Sequence, residues 1–174
     1  MGTNYIIREA IDSDFQQILS IYRYCWDDYF KNTPADYEQV LKYLKEAFDN
    51  RQGYFNFWVC DNGEGEIFGW QSCLQVFNSP LRKGYNGELS TYIRQDKQNG
   101  IIAARLCKKV VNEILKNSPL LILWTHIDPS NTASQRLAIH WGFIKIADVT
   151  NSPYYQINEV WQMPLKEFRI KPTK

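Results

Sequence analysis

Apolar residues recur at helical spacing through the first part of the chain, and after Gly53 the period changes to that of strands. Phe15, Ile18, Leu19, Tyr22 and Trp26 form one apolar face. Ahead of them, Ser13-Asp14-Phe15-Gln16 has capping-box spacing, in which a hydroxyl and an amide side chain each satisfy an orphan backbone group. Thr33-Pro34 opens a second helix, because proline loses nothing at the first helical position. Its stripe is Tyr37, Val40, Leu41, Leu44 and Phe48, and Tyr5-Ile6-Ile7 reads as a strand before the first helix.

Beyond Gly53, Tyr54–Cys60 and Glu66–Phe77 flank Asp61-Asn62-Gly63-Glu64-Gly65 and read as a hairpin. A polar loop with Pro80 leads to a strand at Glu88–Ile93. A helix follows, with Ile102, Leu106, Val110 and Ile114 four apart. Leu120–Ile127 has the length and apolarity of a buried central strand. A short helix from about Thr132 to Trp141 ends at Gly142, and Phe143–Val149 and Gln156–Pro164 close the chain as strands. The order β-α-α-β-β-β-α-β-α-β-β predicts an α/β fold: a mixed, mostly antiparallel sheet flanked by helices. It has one parallel junction, where the long helix connects two neighbouring strands. Crevices at such junctions favour ligands.

Composition narrows the function. The 174 residues, with no repeat or long linker, predict a single domain over 1–174. Twenty basic against nineteen acidic residues leave a net charge of +1, so no concentrated basic face speaks for nucleic acid. Apolar runs such as Leu120–Trp124 fall far short of the roughly 20 residues that a membrane span needs. No basic segment followed by an apolar stretch stands at the N-terminus, and Cys25, Cys60, Cys73 and Cys107 lack paired spacing. A cytoplasmic protein with reduced thiols is expected, and with only two histidines a Cys/His zinc site is not. Aromatics reach 15%, which suits a thick core or a ring-lined pocket.

Two segments carry the chemistry. Glu88-Leu89-Ser90-Thr91-Tyr92-Ile93 runs into Gln98-Asn99-Gly100-Ile101-Ile102-Ala103, a strand, a polar turn and a helix start. Amides at a helix N-terminus attract anions, and small residues let a phosphate approach, although an ordinary strand-to-helix connection looks the same. The second segment runs from His126 through Asn131, Ser134 and Leu137 to Gly142-Phe143, and in isolation Asn131 is a helix cap.

In this order and spacing the segments resemble the GNAT superfamily of acetyl-CoA-dependent N-acetyltransferases, and within it the phosphinothricin acetyltransferase branch. Ile7-Arg8 with Ala10 and Asp14, Ile67-Phe68-Gly69-Trp70 and Trp161 fit the same pattern, so the likeness spans essentially the whole domain. It implies the GNAT fold, with the two strands of the parallel junction splayed around the cofactor. It also implies that acetyl-CoA is held by Thr91, Tyr92, Ile93, Gln98, Asn99, Gly100, Ile101, Ile102, Ala103 and Asn131. Two positions depart from the pattern. Ile101 stands where the family has glycine, and Ala138 where relatives have tyrosine or histidine.

The reaction implied is direct attack of a small-molecule primary amine on acetyl-CoA in a ternary complex. Glu88 would be the base; without the likeness it is a strand-edge carboxylate. Trp26, Tyr29 and His126 are the acceptor-side candidates. The rings of Trp26 and Tyr29, with Asp27 and Asp28, suit a cationic amine or simply pack into the core, and His126 faces the cleft or is a packed strand residue. Cys73 and Cys107 read as core thiols. Other readings are a GNAT scaffold whose catalysis has lapsed into ligand sensing or protein interaction, and an acetyltransferase acting on protein N-termini or lysines. A homodimer through the C-terminal strands, with Tyr154-Tyr155, is a further expectation.

Overall fold

The computed structural model describes residues 5–26, 36–75, 85–98, 100–150 and 157–165. The elements are β1 (Ile6–Glu9), α1 (Phe15–Cys25), α2 (Tyr37–Asp49), β2 (Phe57–Asp61), β3 (Ile67–Gln75), β4 (Asn86–Ile93), α3 (Ile101–Asn117), β5 (Ile122–Ile127), α4 (Thr132–His140), β6 (Ile144–Thr150) and β7 (Ile157–Pro164). They follow the predicted order, in one seven-stranded sheet arranged β1-β2-β3-β4-β5-β7-β6. Every neighbouring pair is antiparallel except β4 and β5. No described helix is long and apolar enough to cross a membrane.

Both helix starts differ from the sequence reading. Ahead of α1, a 3-10 turn at Asp12–Asp14 takes the place of the Ser13–Gln16 capping box. The Asp14 carboxylate accepts the Ile11 N–H at 2.8 Å and binds Arg8 at 2.6 Å, so it is turned away from α1 and gives that helix no side-chain cap. Helix α2 begins at Tyr37, with Asp36 accepting from the Glu38 N–H, so the cap lies past Thr33-Pro34. The end of α4 is as expected. Gly142 has φ +84°, its N–H donates to Ile139 and the Phe143 N–H to Ala138, closing a Schellman motif.

Strand alternation divides the core into two layers. Trp58, Cys60, Phe68, Cys73 and Leu89 pack under α3 against Ile102, Leu106, Val110 and Ile114. Phe57, Val59 and Trp70 meet Ile18, Tyr22 and Phe48 from α1 and α2. The Trp70 indole donates to the Ile18 carbonyl at 3.1 Å and stacks on Tyr92 at 4.4 Å, which fixes the second half of β4 against α1.

Gly69 sets how closely α3 approaches the sheet. A Cβ there would lie 2.6 Å from Ile93 Cδ1, 3.0 Å from the Tyr92 carbonyl and 3.2 Å from Ile102 Cγ2. Gly69→Ala is expected to cost about 1–3 kcal/mol through overpacking, read from the urea midpoint, and to displace the start of α3. An unchanged midpoint would mean that Ile93 swings aside without cost.

Candidate active site

The parallel ladder between β4 and β5 is short. Asn86, Gly87 and Glu88 face Ile122, Leu123 and Trp124, and there the pairing stops. Both strands continue, β4 along β3 to Ile93 and β5 along β7 to Ile127. Each strand is held by its outer partner, so they diverge, and a cavity of about 360 Å³ opens between them. Backbone groups on the facing edges of the split have no strand partner across it, which suits an extended ligand with amide groups.

One wall is β4 from Glu88 to Ile93, and the far end is the start of α3 at Gln98, Gly100 and Ala103. Gly100 caps α3 with φ +77°, and beyond its chain neighbours and the helix backbone no described atom lies within 4 Å of where its Cβ would stand. Only glycine takes that turn without strain, and the space left open lies over the positive end of a 17-residue helix. The opposite wall is His126, Asp128 and α4, where Asn131 accepts the Ser134 N–H at 3.0 Å and so caps the helix while lining the cavity.

The cavity thus brings together Glu88, Thr91, Tyr92, Ile93, Gln98, Gly100, Ala103, Asn131 and His126. Ile101 and Ile102 do not line it. The Ile101 side chain is half exposed, turned out of the cavity. Ile102 is fully buried among the core residues beneath α3, because the helical period that aims Leu106 and Val110 at the sheet aims Ile102 there too. For these two, any contact with a phosphate falls to the backbone amides of the helix start. Trp26 packs against Tyr22 and Tyr37, with ring centroids at 6.1 and 5.3 Å, beside the second core layer and outside the cavity lining. Asn99, Tyr29, Asp27, Asp28, Tyr154 and Tyr155 lie outside the described residues.

Glu88 and His126 meet across the split. The His126 Nδ1 stands 3.0 Å from Glu88 Oε1, with side chains 26% and 29% exposed. An ionised carboxylate only accepts, so Nδ1 donates. The hydrogen bond to Glu88 raises the imidazole pKa above its ordinary value, and the opposing pull of burial is weaker. The thiols are of a different kind. Burial pushes Cys107 up to about 11, and a group that stays protonated there is not a nucleophile at neutral pH. Sequence reasoning missed Gln71 on β3 and Asn158 on β7, both buried and both lining the cavity. The signal available was an amide inside a strand of otherwise buried residues.

A family model described as an acetyltransferase (GNAT) domain matches residues 4–144. The chain belongs to the GNAT acetyltransferase family. The split sheet is accordingly that of a GNAT domain, and solved structures share the fold. The ribosomal-protein-alanine N-acetyltransferase from Brucella melitensis is 21% identical, with 91% of this chain and 99% of that one covered and a TM-score of 0.73. An N-acetyltransferase from Staphylococcus aureus Mu50 is 22% identical, with 93% and 99% covered and a TM-score of 0.73. A GNAT superfamily phosphinothricin acetyltransferase from Sinorhizobium meliloti, solved in complex with AcCoA, is 18% identical, with 98% and 94% covered and a TM-score of 0.73. Comparison with curated protein sequences returns no match.

Proposed function

We propose that this GNAT domain transfers an acetyl group from acetyl-CoA to the primary amine of a small molecule, by direct attack in a ternary complex. The observation that carries the reading is the end of the β4–β5 ladder at Glu88, which places a carboxylate where the split begins. When bound, acetyl-CoA supplies an activated acyl thioester. The unpaired edge of β4 from Thr91 to Ile93 would bind the amides of its arm, and Gly100, Ala103 and the first turn of α3 its pyrophosphate. Asn131 anchors the opposite wall.

A free alkyl amine is mostly protonated at neutral pH, near the reference pKa of about 10.4 for lysine, and must lose a proton to attack. Glu88 is the acid–base candidate at the mouth of the split, and its carboxylate also favours a cationic acceptor. The likeness to N-acetyltransferases of known fold and the AcCoA complex of the Sinorhizobium meliloti neighbour support the reading.

Isothermal titration with acetyl-CoA is expected to give heat with a micromolar Kd, and no heat at millimolar ligand would end the proposal. One observation favours a second reading. Ala138 lines the cavity and has no proton to give a departing thiolate, which suits a scaffold that binds without turning over. Thiol release across a panel of primary amines separates the two, because a binder releases none.

A further inference from the structure

We infer that Glu88 and His126 form a single proton-accepting unit, in which Glu88 orients the imidazole that takes the proton and a cationic acceptor amine reads the charge of the pair. The inference rests on the acetyltransferase reading above and deepens it. The pair is built by the strand register. Glu88 is the last β4 residue in the parallel ladder, opposite Trp124, and His126 lies two residues beyond Trp124 on the same face of β5. The imidazole and the carboxylate therefore meet where the strands begin to part, and their 3.0 Å contact spans the mouth of the cavity.

Among the described residues around the imidazole, Glu88 is the carboxylate in contact with it. On the same face of β4 stand Ser90 and Tyr92. From α1, Cys25 reaches the cavity, its thiol 3.9 Å from the Ile93 carbonyl. From β7, Val160 lies opposite His126, and the neighbouring Glu159 is taken up by Lys145, Gln135 and Trp161. On β5's own continuation, Asp128 is turned onto Ser130.

With His126 protonated, the pair is neutral overall and offers a cationic amine little attraction. With His126 neutral, the pair carries one negative charge and one vacant proton site. The acceptor ammonium then loses one proton and keeps the N–H electron pair as its lone pair. The Glu88–His126 unit gains that proton and ends as imidazolium against carboxylate, and the imidazolium returns it to solvent after turnover. A carboxylate alone is a poor match for an ammonium proton, and an imidazole whose charged form is held by Glu88 is a closer one.

The test uses the full chain with two readouts. In the ligand-free protein, the titration of His126 is followed by two-dimensional NMR, with His140 as the only other imidazole. In Glu88→Gln the His126 midpoint is expected to fall, and an unmoved midpoint overturns the inference. In turnover with the best amine of the panel, the acidic limb of kcat/KM is expected above the ordinary imidazole range and to move to lower pH in His126→Gln. A limb that stays in place in a folded His126→Gln protein also overturns it. Should no amine release thiol, the acetyltransferase reading fails, while the NMR arm still decides whether the two groups titrate as one. The NMR arm needs no His126 variant, so misfolding of His126→Gln does not shield the inference.

Discussion

Glu88→Gln is expected to lower kcat/KM with the preferred amine by about 10²–10⁴-fold while leaving the Kd for acetyl-CoA within twofold. The substitution keeps the shape of the side chain and its place beside Trp124, but it takes away the carboxylate that meets His126. Cofactor contacts assigned to the β4 edge, Gly100 and Asn131 are backbone or distant, so binding and catalysis separate in this variant. Stopped-flow thiol release alongside calorimetry measures both. An unchanged rate would remove Glu88 from the chemistry, and a parallel loss of cofactor affinity would make its role one of holding the split open.

The largest stability effect is expected at Arg8. Its guanidinium binds Asp14 at 2.6 and 3.0 Å and Asp61 at 2.7 Å, joining β1, the turn before α1 and the end of β2. Both aspartates are nearly fully buried. Burial pushes the Asp14 carboxyl up, but Arg8 and the Ile11 N–H together hold it below its ordinary value. Arg8→Leu leaves two buried carboxylates without their cation, at a cost of about 3 kcal/mol, the lower end for breaking a buried pair because Arg8 is itself part-exposed. For a domain of this size that is about 6–12 °C in Tm. A folded pKa below the unfolded one means that Asp14 stabilises the native state above its unfolded pKa and that this is lost as pH falls through the folded value. In Arg8→Leu the guanidinium's lowering of Asp14 is lost and burial is opposed only by the Ile11 N–H and Arg51, so less stability remains to be lost on acidification and the gap to wild type narrows. Calorimetric scans from neutral pH to well below the ordinary aspartate pKa of about 3.9 check both the gap and its narrowing; equal Tm values at neutral pH would show that water replaces the guanidinium.

Local patterns were legible where the physics is local. The stripe from Phe15 to Trp26 and the four-residue spacing from Ile102 to Ile114 are consequences of helical period, and both became buried faces. The turn between β2 and β3 was equally readable, because its bonds form within a few residues: Asp61 takes the Gly63 N–H and Asn62 those of Glu64 and Glu66. Helix starts were less so. At the start of α1, Arg8, six residues back and also bound to Asp61, holds the Asp14 carboxylate away from the helix. Ile101 shows the same limit, since its side chain turns out of the cavity by the rotation of α3, which depends on how Ile102 seats under Gly69.

By itself, the order of residues determined the helices, the strands, their succession and the family pattern, since each depends on neighbours a few positions away or on spacing along one chain. Tertiary structure alone decided where the β4–β5 ladder stops and which groups then face each other. Glu88 and His126 are 38 residues apart, and their contact follows from β3 and β7 drawing the two strands in different directions. Competition between sheet neighbours leaves no local trace in the chain.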